Sequence, residues 1–113
     1  MKINKKNAFL LWEEYFGNQQ YAEDFHGNLM CRDGYGNPDY YIFYYGKKIY
    51  CGWNIHHILP VAKGGSNRKN NLICTNIYTN EMADDKTTYW IDDSLYQVQH
   101  IWGEEGYGIF KLN

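Results

Sequence analysis

Between Trp53 and Lys86 the chain reads WNIHHILPVAKGGSNRKNNLICTNIYTNEMADDK, and nitrogen and oxygen donors recur along it. His56 and His57 are adjacent, and Asn71, Asn80 and Asp84 follow. An imidazole titrates at about pH 6.5 and can take a proton from water under neutral conditions. An imidazole nitrogen, an amide oxygen and a carboxylate together suit Mg2+ or Mn2+, with Zn2+ or Ni2+ as options through the histidine. Asn80 and Asp84 are spaced i, i+4, so a helix there sets both on one face, within reach of one ion. Asp85 offers the same carboxylate one residue later.

The elements around these residues are those needed to gather them. An apolar, β-branched run from Ile49 to Ile55 reads as a strand that ends on the histidine pair. Adjacent strand residues point to opposite faces, so two histidines aimed at one site require the strand to end or bend there. Pro60 fits an exit from pairing, and Gly64-Gly65 marks a loop. Asn71, Leu72 and Ile73 then begin a short strand, and a polar helical segment carries Asn80 and Asp84.

This order of residues resembles the HNH nucleases, also called ββα-metal or His-Me finger nucleases. The resemblance covers residues 23–88, with its core at about 49–88. It rests on the His56-His57 pair, the Ile58-Leu59-Pro60 step, Gly64-Gly65, the middle Asn71 with Leu72, Asn80 nine residues later, and Asp84. Asp33–Asn37 (DGYGN) and Tyr50–Trp53 (YCGW) are similar to the upstream part of small standalone members. Many relatives carry Asp at position 56 and Lys near position 83, where this chain has His56 and Ala83.

The resemblance implies a single α+β domain over residues 1–113, with an N-terminal helix, an antiparallel β-hairpin and a ββα-metal core. It also implies a metal-dependent endonuclease that hydrolyses phosphodiester bonds of nucleic acid, DNA before RNA. In that pattern His57 is the general base, Asn71 orients it, and His56, Asn80 and Asp84 hold one divalent metal. Water deprotonated by His57 would attack phosphorus in line and leave 5′-phosphate ends. The alternative is a catalytically weak or inactive scaffold of the same kind, acting as an inhibitor or accessory protein of a phage or mobile element. The acidic last third and the absent Lys near position 83 motivate that alternative.

Charge bears on both. The formal net charge is −2, not the basic footprint of a strong nucleic-acid binder. It is uneven: residues 1–80 hold nine Lys/Arg against six Asp/Glu, and residues 81–113 hold two against seven. Lys63, Arg68, Lys69 and Lys86 are the candidate phosphate contacts, with ordinary solvated charge as the plainer reading. Weak unspecific affinity, or a protein partner for targeting, follows from so modest a balance.

At 113 residues, 44% hydrophobic and 19% aromatic, the chain suits one folded domain. It contains no apolar run long enough to span a bilayer and no secretory leader, which predicts a cytoplasmic protein, bacterial or of a phage-infected cell, with no membrane partner. Cys31, Cys51 and Cys74 are odd in number and widely spaced, and so predict reduced, partly buried thiols.

Elsewhere, Ala8, Leu11, Trp12 and Tyr15 carry the spacing of an amphipathic helix over Asn4–Phe16, stopped by Gly17-Asn18. Tyr21–Asn37 reads as turns and short strands, and Asp24, His26 and Asp33 there as supporting or surface residues. Tyr40–Tyr45 and Lys48–Ile55 read as a hairpin about Gly46-Lys47, with tyrosines that either pack a sheet or stack on bases. Gly52 beside Trp53 predicts a close backbone approach. Thr87–Ile91 is expected to continue or cap the helix, Leu95–Ile101 and Ile109–Leu112 to form strands, and Gly103–Gly108 to turn.

Overall fold

The computed structural model describes residues 1–113 and has an α+β architecture, with two helices and four small antiparallel sheets. Helix α1 (Lys5–Phe16) begins where the Asn4 side chain accepts from the Asn7 amide, and ends at Gly17 with φ 62°. Its buried face, Ala8, Leu11 and Trp12, is the face that the apolar spacing marks out.

Strands β1 (Tyr21–Glu23) and β2 (Leu29–Cys31) pair across a turn. Strands β3 (Tyr41–Tyr44) and β4 (Lys47–Tyr50) form the expected hairpin, but its loop is Tyr45-Gly46, one residue earlier than Gly46-Lys47. Both loop residues have positive φ (50° and 75°), the requirement of a type I′ turn, whose twist matches the strands it joins.

The run from Lys48 to Ile55 is not one strand. It breaks at Cys51-Gly52, and β5 (Trp53–His57) then pairs antiparallel with β6 (Leu72–Asn76). Gly52 makes the expected close approach: a Cβ there would lie 2.0 Å from the Asn37 carbonyl oxygen. The register sets Trp53 opposite Asn76 and His57 opposite Leu72, so Trp53, Ile55, Leu72 and Cys74 share one face. That face packs on α1, where the Trp12 and Trp53 ring centroids are 5.0 Å apart.

Helix α2 (Ile77–Ala83) follows β6 directly. The Asn76 side chain caps it by accepting from the Tyr78 amide, while its own NH2 donates to the carbonyls of Leu29 and Tyr50. Beyond α2 comes a three-stranded meander of β7 (Thr88–Ile91), β8 (Ser94–His100) and β9 (Tyr107–Lys111). Thr87–Ile91 therefore does not extend the helix. Positive φ at Asp84 ends α2, and the β-branched and aromatic run Thr88–Ile91 pairs with β8 instead. Ala83, Tyr89, Ile91 and Tyr96 make a second, smaller core between α2 and the meander. All three cysteines are free thiols and buried. No helix is long and apolar enough to cross a membrane.

Candidate functional site

Two strands, a long loop and a short helix position the candidate residues. His56 and His57 close β5, and both remain in register with β6, opposite Ile73 and Leu72. The pairing even continues past them, since the Ile58 amide donates to the Asn71 carbonyl at 2.8 Å. The strand ends at the pair, as expected, but stays in regular pairing to its last residue, and the two rings lie on opposite faces of the sheet. Both nevertheless line one open cleft of about 420 Å3, which wraps the end of the strand. Asn80, Glu81, Asp84 and Asp85 line it from the α2 side.

His56 is 4% exposed and lies on the α2 face, with the Phe25 ring 6.5 Å away. Its Nδ1 is 2.6 Å from Asn80 Oδ1, so the ring donates to the amide oxygen. Burial holds its pKa below the usual imidazole range, outweighing the Asn80 hydrogen bond that acts the other way. The ring is therefore neutral at pH 7.

His57 is half-buried on the opposite face, and its Nε2 is 2.7 Å from Asn67 Oδ1. With that nitrogen donating, Nδ1 keeps a free lone pair. The partner is Asn67, not Asn71. The buried Asn71 side chain holds the loop instead: Oδ1 accepts from the Leu59 amide at 2.9 Å, and Nδ2 donates to the carbonyls of Leu59 (3.0 Å) and Ser66 (2.9 Å). Gly65 fits against the same turn, where a Cβ would lie 1.7 Å from the Leu59 oxygen. Nothing in the sequence pattern singled out Asn67, a polar residue in a polar loop whose partner is set by tertiary contact alone.

Asp84 does not share a helical face with Asn80, because α2 ends at Ala83. It is the C-cap residue, with φ 52° and ψ −137°, and it reaches the cleft from a turned backbone. The same conformation at the end of α1 is held by Gly17, with φ 62° and ψ −131°.

The four candidate phosphate contacts are not equivalent. Lys69 is ion-paired with Glu14, whereas Arg68 lies 3.9 Å from Glu105 with both side chains open to solvent. Lys63 and Lys86 are exposed and make no ion pair, and they follow the cleft residues Ala62 and Asp85 directly in sequence.

The supporting residues have clear structural work. Buried Asp24 accepts three backbone N–H bonds, from His26, Asn28 and Asn76, which ties the β1–β2 turn to the start of α2. His26 bridges Tyr96 Oη (2.7 Å) and Asp92 (2.8 Å), and Asp92 also accepts from Tyr78 on α2.

No three His, Cys, Asp or Glu side chains converge in metal-binding geometry. The donor set that does converge is mixed: an imidazole nitrogen and an amide oxygen in contact, with carboxylates on the same cleft wall. By donor type these residues would suit a hard divalent cation completed by water, which would need the Nδ1 hydrogen displaced and the two donors parted from their hydrogen-bonded contact. No protein-family model matches the chain, and neither the curated proteins nor the solved structures include a match.

Proposed function

We propose that the protein is a metal-dependent endonuclease of the HNH kind, hydrolysing phosphodiester bonds of nucleic acid, DNA in the first place. The observation that carries this is the meeting of His56 and Asn80, 24 residues apart in sequence, on the wall of a cleft that His57 and Asp84 also line. The strand–loop–strand–helix order of β5, β6 and α2 is the order that the HNH resemblance implies. The backbone at Asp84 adds support. A non-glycine residue in that region of φ, ψ costs about 1–3 kcal/mol, and such strain is concentrated at functional sites.

In this mechanism His57 Nδ1 takes the proton of the attacking water, while Asn67 holds the ring through Nε2. Asn71 keeps the Leu59–Ser66 loop in place beneath that contact. His56, Asn80 and Asp84 would hold one divalent ion, Mg2+ or Mn2+ by donor type. When bound, the ion supplies Lewis-acid stabilisation of charge on the phosphate and the leaving 3′-oxygen. The cleft lining carries Glu81, Asp84 and Asp85 and no Lys or Arg, so a phosphate approaches it favourably only with that cation present.

A second reading is a non-catalytic module that binds nucleic acid or a protein. It is favoured by the acids beside Arg68 and Lys69, which leave Lys63 and Lys86 as the two candidate phosphate contacts without an ion pair. Incubation of supercoiled plasmid with Mg2+, Mn2+, Ni2+ or EDTA separates the two. The nuclease gives nicked or linear product that requires both metal and His57, while His57→Ala keeps the wild-type melting temperature. Absence of cleavage under every metal from a folded protein, or full cleavage by His57→Ala, would overturn the proposal.

A further inference from the structure

The β3–β4 hairpin carries aromatic residues that no part of the fold uses. Its aliphatic residues, Ile42 and Ile49, are paired and half-buried on the inner face. The outer face holds Tyr41, Phe43, Lys48 and Tyr50, by the alternation of the strands and the pairs Tyr41–Tyr50 and Phe43–Lys48. The Phe43 side chain is 68% exposed and Tyr50 53%. The Tyr41 ring centroid lies 5.4 Å from that of Phe43 and 5.8 Å from that of Tyr50. Lys48 Nζ sits 4.1 Å and 5.2 Å from the centroids of Tyr41 and Tyr50. Residues 40–50 contain Lys47 and Lys48 and no acidic residue.

From this we infer that the outer face of the hairpin is a stacking platform for an unpaired stretch of nucleic acid, its bases on the rings and its phosphates beside Lys48. Open aromatic faces with interleaved cations are what single strands need, because every base has a π-face and every linkage a negative charge. An apolar groove of about 890 Å3 between this hairpin and the β1–β2 pair is bordered by Tyr41 and Phe43 as well as by Ile42 and Ile49, and carries Glu23 and no Lys or Arg.

The platform also leads toward the candidate site. Tyr50 lines a trough of about 390 Å3 that passes Gly52 and Ile77 and reaches Glu81. Glu81 in turn lines the His56–His57 cleft. The trough carries Glu81 and no Lys or Arg, so a phosphate chain would follow it to the proposed chemistry only with the cation bound, which would make unpaired nucleotides the preferred substrate. That consequence rests on the nuclease proposal; the binding itself does not.

Fluorescence anisotropy of a labelled oligothymidylate, titrated with the full chain in EDTA, tests the binding without cleavage. Phe43→Ala and Tyr50→Ala should each weaken binding roughly five- to 150-fold, the range for loss of one stacked base. Lys48→Ala should lower the slope of log K against log salt by about 0.7, the value for one phosphate of a single strand. Trp102→Ala, which removes an equally open ring (89% exposed) away from the hairpin, should bind as wild type. Phe43→Trp, which keeps a ring, should restore binding if the alanine variant loses it. The inference is overturned if the oligonucleotide does not bind, or if the hairpin variants bind it unchanged. It is equally overturned if sedimentation shows a dimer that Phe43→Ala dissolves, which would give the face to a second copy. Metal-dependent cleavage with no dependence on Phe43 or Tyr50 would sink the platform and leave the nuclease standing. Hairpin-dependent binding with no cleavage would do the reverse.

Discussion

Asn71→Ala separates a structural role from a chemical one. The Asn71 side chain makes three hydrogen bonds, to the Leu59 amide, the Leu59 carbonyl and the Ser66 carbonyl, and none to His57. Alanine removes all three and leaves the Leu59 N–H without a partner on a part-buried loop. At about 1 kcal/mol per bond, discounted for partial exposure, the loss is about 2–3 kcal/mol. For a domain of this length that lowers Tm by roughly 10 °C. The damage should be local first: amides that the loop protects, those of Leu59 and Gly65, should exchange faster than those of β6. Thermal denaturation with amide exchange read by mass spectrometry gives both quantities. A Tm within about 2 °C of wild type, with Leu59 protection intact, would refute the assignment of Asn71 to the loop. If turnover were then lost while stability held, Asn71 would act on His57 directly.

Gly64 and Gly65 should answer differently to alanine. Gly64 has φ 95° and open space, so Gly64→Ala costs about 1 kcal/mol of conformational strain. Gly65→Ala drives a Cβ to 1.7 Å from the Leu59 oxygen and should cost more than about 3 kcal/mol, read as a larger loss in denaturant midpoint. Buried His56 resists protonation in the folded chain, whereas in the unfolded chain it takes a proton near the ordinary imidazole value of 6.5. Its contribution to stability is therefore complete above that value, and is lost as pH falls below it through the lowered folded value. Tm measured in EDTA between about pH 5 and 8 should decline on the acid side more steeply in wild type than in His56→Gln. Asp84→Gly should raise stability by about 1 kcal/mol, by relieving a conformation that glycine adopts freely, and should abolish metal-dependent cleavage. Unchanged or lower stability in that variant would remove the strain from consideration.

Local signals were legible because their causes are local. Asn4 and Gly17 bound α1, since a cap needs only its own turn to form. Gly52 announced a close approach for the same kind of reason: only a residue without Cβ fits beside the Asn37 carbonyl. The hairpin was legible as a hairpin but not in its register. Pairing Ile42 with Ile49, both turned inward, fixes the loop at Tyr45-Gly46 even though this sets a tyrosine at positive φ. Burial of one face outweighed the turn preference of a single residue. At Thr87–Ile91 the expected helix lost to a strand, because the β-branched and aromatic residues there already preferred extended backbone and β8 supplied the partner.

The candidate site divides along the same line. His56, Asn80 and Asp84 meet at one cleft, yet spacing alone gave a wrong reason for Asp84. It reaches the cleft from a strained cap and not from a shared helical face, and no i, i+4 rule describes a residue one step past the last turn. The histidines show why adjacency in a strand need not divide a site. The strand stays paired to its last residue, and the two rings take opposite faces, but a cleft that wraps the strand's end touches both. Under the nuclease proposal that geometry would have a chemical use. On the α2 face a neutral, nearly inaccessible imidazole meets an amide oxygen, the setting for a ligand that must not take up a proton. On the other face a half-buried imidazole, held by Asn67 at one nitrogen, keeps the other free for water. One residue of separation along a strand thus gives two copies of the same side chain opposite environments. Under the nuclease proposal it is the partners on each face, Asn80 and Asn67, that would suit one histidine to holding a cation and the other to accepting a proton.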